Sequence, residues 1–166
     1  MKQIPIFCLA LATFFLVACG PKDSRQSFDD PTVYNDFVVD ALTELDLTYA
    51  NALNMNQGQE KCLLMCDSLV FKSEATLKKL EGIQPYEGDS SFTMAARDFA
   101  QYMKRIGKND LPTFIHKVFD PELIETDRAE IDRLAADLDK TYNAKLNEIN
   151  TVQKALAKKF DYTIVK

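Results

Sequence analysis

From Ile124 to Phe160 apolar residues return at helical spacing, through Ile131, Leu134, Leu138, Tyr142, Leu146, Ile149, Val152 and Leu156. Asp120-Pro121-Glu122 opens this stretch with a capping residue followed by a proline suited to a first helical turn. A helix of about ten turns spans roughly 55 Å at 1.5 Å per residue. It buries its stripe only against partners of comparable length, so the rest of the chain has to supply them.

Three earlier segments do so. Asp30-Pro31 repeats the cap-and-proline start, and Tyr34, Phe37, Val38, Ala41, Leu45, Tyr49, Ala52 and Leu53 then fall on one face of a first helix ending near Asn54. After Gly58, a second stripe runs through Cys62, Met65, Cys66, Leu69, Thr76, Leu77 and Leu80 to Gly82, a C-terminal cap preceded by Lys78 and Lys79. Ser90 or Ser91 caps a third helix with the face Phe92, Ala95, Ala96, Phe99, Tyr102, Met103 and Ile106. Gly107-Lys108-Asn109-Asp110 breaks it, and Leu111, Phe114, Ile115, Val118 and Phe119 form a shorter continuation. The tail from Tyr162 to Val165 is expected to lie against the bundle. Short connections between similar amphipathic helices predict an all-α fold: an antiparallel up-down-up-down four-helix bundle with a broken third helix and a long C-terminal helix, over residues 31–166. Four glycines after residue 20 and no tryptophan suit long helices better than a turn-rich β fold.

The start of the chain carries a different message. Lys2 precedes an uncharged, mostly apolar run from Ile4 to Ala18, shorter than the roughly 20 residues of a membrane span and closed by Gly20-Pro21. Leu16-Val17-Ala18-Cys19-Gly20, at the end of that run, resembles the lipobox of bacterial lipoproteins. The resemblance implies that residues 1–18 are a signal peptide removed on export, that Cys19 is the lipidation site, and that the lipid bilayer is a partner through its acyl chains. Several chains at about 0.8 kcal/mol per buried CH2 give stable anchoring. Gly20 is not acidic, so the resemblance further implies outer-membrane delivery, with periplasmic or surface display. Residues 19–30, polar beyond the lipidated cysteine, read as a flexible tether. As a whole the chain resembles the small helical lipoproteins of diderm bacteria, a likeness that transfers location and no active-site residue.

Loss of residues 1–18 removes one lysine, leaving 19 Lys plus Arg against 25 Asp plus Glu, a formal charge of −6. An acidic chain without a basic patch argues against nucleic acid as partner.

Candidate chemistry is sparse. Cys62 and Cys66 stand four apart on one helical face, where Cβ atoms about 5 to 6 Å apart are too distant for an unstrained disulfide; they read as small core residues. His116, the single histidine, has no nucleophile or Glu-x-x-His partner. Glu122, Glu125, Asp127, Glu130, Asp132, Asp137 and Asp139 make the start of the last helix acidic, but Arg128, Arg133 and Lys140 interleave with them and predict a solvated, ion-paired face. The aromatics Tyr34, Phe37, Tyr49, Phe92, Phe99, Tyr102, Phe114, Phe119 and Tyr142 either form core or line a cavity between helices. Pro85, Tyr86 and Asp89, in the connector from Gln84 to Asp89, are the candidate binding residues because that loop is expected to be the most exposed.

The sequence therefore predicts no catalytic residue, metal or cofactor. It predicts a membrane-anchored, non-enzymatic binding module for an envelope protein, a host protein or a small apolar ligand. One alternative is a metal- or cofactor-dependent enzyme or carrier using His116 and the carboxylates of the last helix. Another is a structural spacer in an envelope assembly.

Overall fold

The computed structural model describes residues 23–122 and 125–164. Residues 1–22, with the expected signal peptide and Cys19, lie outside them, as do Ile124 and Val165. Five α-helices follow in order: α1 (Pro31–Ala52), α2 (Gln59–Glu81), α3 (Ser91–Lys108), α4 (Asp110–Val118) and α5 (Glu125–Lys159), with a short 3-10 turn at Met55–Gln57. Among the described residues β pairing is confined to two isolated bridges, and no helix is long and apolar enough to cross a membrane.

The local signals act as expected at the start of α1 and at the end of α2, where Gly82 is the C-cap, whereas the start expected at Asp120-Pro121-Glu122 is a turn and α5 begins at Glu125. Asp30 accepts hydrogen bonds from the backbone of Thr32 (2.6 Å) and Val33 (3.3 Å), with Pro31 in the first turn. At α3 the expected serine cap is replaced. Ser90 makes no capping bond, and the Asp89 carboxylate accepts from both the backbone and the hydroxyl of Ser91, at 3.0 and 2.6 Å. A carboxylate beside the positive end of a helix dipole outcompetes a neutral hydroxyl for those donors.

α1 packs on α2, α2 on α3, and α3 on α5, while α4 touches α2, α3 and α5. Cross-helix pairs fix the register. The Thr76 hydroxyl donates to the Ala41 carbonyl (3.3 Å), Lys72 to Thr48 (3.2 Å), and Lys79 lies over the Phe37 ring (4.5 Å). Glu81 pairs with Arg97 and Glu74 with Lys104. Tyr102 donates to the Leu138 carbonyl (3.1 Å), Lys145 to Asp98, and Gln153 to Asn35 (2.8 Å). The core lies between these faces, with Tyr34, Leu45, Leu69, Phe92, Phe99, Met103, Ile106, Leu111 and Ile115 at or near zero exposure.

Three further expectations change. The break expected across residues 107–110 falls at Asn109 alone, and Gly107 is a buried helical residue of α3. A Cβ there would sit 3.2 Å from the Cys66 carbonyl oxygen and from Val70 Cγ2, so glycine lets α3 approach α2 closely. The tether expected over residues 19–30 is fastened in its described part. Gln26 donates to the Gly82 carbonyl and accepts from the Gln84 amide, both at 2.8 Å, while Phe28 packs against Tyr34 and Phe37. Finally, the ion pairs expected among the interleaved charges at the start of the last helix are not found between Arg128, Arg133 or Lys140 and its described acidic residues; Glu130 instead meets Lys117 of α4 at 2.9 Å, and the pair within α5 is Lys145 with Glu148 at 3.3 Å. At the C-terminus Tyr162 does lie against the bundle, its hydroxyl donating to Asn35 Oδ1 at 3.2 Å.

Candidate functional site

In the loop expected to be the most exposed, Glu87 and Gly88 are exposed at the tip while Tyr86 turns inward. The tip is tight: the Asp89 amide donates to the Tyr86 carbonyl (2.8 Å), with φ of 48° at Glu87 and 78° at Gly88, the mirror-image turn geometry in which both central residues have positive φ. That turn points Tyr86 into the core, where it is 9% exposed, stacked 5.7 Å from Tyr34 and edge-on 4.9 Å from Phe160. Pro85 is half-buried. Asp89, the third candidate, is committed to Ser91 and to Lys159 Nζ at 2.6 Å. The Lys159 ammonium, followed by the Ser91 donors, holds its carboxyl at about 2, below the usual 3.8. Tyr86 and Asp89 thus close the loop onto the bundle.

A depressed carboxyl stabilises the fold above its unfolded value and loses that contribution as pH falls through the folded one. Asp89→Asn is expected to cost about 1 kcal/mol near neutral pH after solvent screening, and the gap to wild type should close between about pH 5 and pH 2. Urea denaturation across that range checks it.

The remaining sequence candidates stay apart. His116 is exposed on α4, its Nδ1 3.0 Å from Gln59 Nε2. Among the described residues no group of three or more His, Cys, Asp or Glu is placed to hold a metal ion. Cys62 and Cys66 are free and buried, and burial, followed by the nearby Asp67 and Cys62, pushes the Cys66 thiol up to about 12. They sit in the core, as their spacing predicted.

What the fold does bring together is an aromatic cleft at the end of the bundle. On α5 Ala135, Leu138, Asp139 and Tyr142 recur at three and four residues and so share one face. Tyr49 of α1 and Leu53, the residue that caps its end, stand one turn apart and line the cleft with that face, together with Met55 of the 3-10 turn and Phe114 of α4. The volume of the cleft is about 280 Å³. Tyr49 and Tyr142 stack with centroids 4.8 Å apart and planes 24° apart, and Phe99 stands behind Tyr142 at 6.2 Å. The Tyr142 hydroxyl donates to the Asp46 carboxylate. Burial, then the neighbouring Tyr102, Asp139 and Asp46, pushes the Tyr49 hydroxyl up to about 12. Asp139 is exposed at the cleft and accepts from Asn143 Nδ2 at 2.9 Å.

The lining contains three rings, several aliphatic groups and one carboxylate, with no lysine or arginine. Such a surface offers apolar contact and negative potential. Tyr49, Phe114 and Tyr142 were visible in the sequence as members of separate apolar stripes, and Asp139 as one of many acidic residues. Their convergence had no sequence signal. Comparison of the chain with protein-family models, with curated proteins and with solved structures gives no match.

Proposed function

We propose that this chain is a lipoprotein of the cell envelope, cut after residue 18 and held at the outer membrane by acylated Cys19, whose helical domain is a non-enzymatic binding module. The anchor reading is supported by the Leu16-to-Gly20 motif at the end of a short apolar run. An up-down-up-down bundle, with α3 and α4 as one interrupted third helix, is supported by the cross-helix pairs. As residue numbers rise from 37 through 41 to 48 along α1 they fall from 79 through 76 to 72 along α2, and the α2 to α3 and α3 to α5 pairs run the same way.

The observation that carries the binding reading is the aromatic cleft. Its aromatic and aliphatic groups face an open concavity, the usual character of a small-ligand site. The anchor is tested by protease treatment of intact and lysed cells, with Cys19→Ala as control. Digestion on intact cells places the domain at the surface, and protection until lysis places it in the periplasm. Membrane retention of Cys19→Ala would overturn the lipoprotein reading.

A structural spacer is a second reading, favoured by α2. Leu64 and Phe71, seven residues apart on that helix, are 55% and 73% exposed. On this reading Phe71→Ser shifts the protein from a self-associated species to a monomer in sedimentation velocity, with unchanged thermal stability because the ring has little burial to lose. A wild-type monomer at high concentration would end it.

A further inference from the structure

The cleft at the end of the bundle has a distinctive chemistry. The rings of Tyr49, Phe114 and Tyr142 and the aliphatic groups of Leu53 and Leu138 provide its apolar surface, and Asp139 is the charged member of its lining. Asp139 accepts from the neutral amide of Asn143 and has no lysine or arginine within ion-pair distance among the described residues. Asp46, behind Tyr142, is likewise met by a hydroxyl and not by a cation. By contrast, Glu44, Glu74, Glu81, Asp98 and Glu130 each have a lysine or arginine within ion-pair distance. Asp139 in the lining and Asp46 behind Tyr142 therefore bias an aromatic cleft toward negative potential, with no lysine or arginine among the lining residues.

Aromatic faces attract cations through their ring quadrupole, by about 0.5 to 2 kcal/mol depending on desolvation, and a carboxylate at the rim adds to that attraction. An anionic ligand meets repulsion here, and a neutral apolar one uses the rings without the charge. We infer that the cleft of Tyr49, Phe114, Tyr142 and Asp139 binds a small amphipathic organic cation, an amine or quaternary ammonium compound with an apolar body, its body against the rings and its charge toward Asp139. The inference rests on the cleft being the binding surface of the proposed module. Asp139 and Asp46 are both among the causes that raise the Tyr49 hydroxyl above its ordinary value, so their negative potential reaches the rings of the cleft.

The test uses the full-length lipidated chain in zwitterionic lipid nanodiscs, with tyrosine and phenylalanine rings isotope-labelled, titrated with benzyltrimethylammonium, benzyl alcohol and phenylacetate and followed by aromatic NMR. The expected result is a saturable shift of the Tyr49, Phe114 and Tyr142 rings with the cation, about tenfold weaker with the alcohol, and absent with the anion. Asp139→Asn, an exposed change that leaves the fold intact, is expected to weaken the cation about three- to tenfold and leave the alcohol unchanged. Equal affinity for cation and alcohol, indifferent to Asp139→Asn, would overturn the cationic assignment while leaving the apolar binding reading standing. Preference for phenylacetate would overturn the assignment as well. No saturable shift with any probe would overturn both the ligand class and the role of the cleft.

Discussion

Gly107→Val is expected to lower the stability of the domain by about 3 kcal/mol, a fall in melting temperature of roughly 10 °C. Even the first added carbon meets the Cys66 carbonyl oxygen and Val70 Cγ2 at 3.2 Å and Leu69 Cβ at 3.4 Å. Two of these neighbours cannot give way. The carbonyl oxygen and the Leu69 Cβ belong to the body of α2, so relief comes only by moving one helix off the other. Gly107→Ala separates the two effects of glycine. Alanine gains about 1 kcal/mol of helix propensity, and the crowding acts against it, so the net change is small or mildly destabilising, on the order of 1 kcal/mol. Chemical denaturation of both variants checks the ordering. A valine variant as stable as wild type would show that α2 and α3 do not meet at this crossing.

Tyr34→Ala is expected to cost about 4 kcal/mol, as for other large aromatic residues truncated in a core. The side chain is fully buried, and it joins parts of the chain that are distant in sequence. Its ring lies 5.5 Å from Phe28 of the N-terminal segment, 5.7 Å from Tyr86 of the loop and 6.3 Å from Phe92 of α3. Its hydroxyl pairs with Thr93 in the core, and burial, partly offset by that bond, raises its titration above the ordinary tyrosine value. Tyr34→Phe keeps the packing and orphans only the threonine, so its cost is about 1 kcal/mol. The alanine variant should also loosen the N-terminal segment, because Phe28 loses part of its seat. Hydrogen exchange at the amides of Gln26 and Gln84, which form the bridge across Gly82 to Gln84, reads this directly. Unchanged protection there would show that the segment is held by its backbone bonds alone.

The apolar face read from the sequence of α3 is the face that is buried: Phe92, Ala95, Ala96, Phe99, Tyr102, Met103 and Ile106 all lie in the core. The same holds for Val38, Ala41, Leu45 and Tyr49 of α1. Periodicity is a local property, fixed by 3.6 residues per turn, and a stripe has to be covered whatever covers it. Loop residues carry no such period. Pro85 and Gly88 mark a turn correctly, yet a turn says nothing about whether Tyr86 faces water or Tyr34. Buried polar pairs carry no such period either. Asn35 and Gln153 are buried and bonded to each other across 118 positions, a pairing that neither residue announces.

Of the cleft, the sequence offered its parts. Tyr49, Phe114 and Tyr142 stood in apolar stripes for which core and interhelical cavity were both open readings, and the structure uses them partly as each. Tyr49 is nearly buried, while Phe114 and Tyr142 keep some exposure toward the concavity.

The amino-acid sequence by itself determined the helical class, the start of α1 at Asp30-Pro31, the long last helix and the inward faces of the helices, because capping and hydrophobic period act over a few residues. Only the tertiary structure decided that Gly107 is a contact and not a break, that Asp89 caps α3 while holding Lys159, and that three rings from three helices meet beside Asp139. Those outcomes depend on which helices become neighbours and at what height, and that is set by packing between residues tens of positions apart.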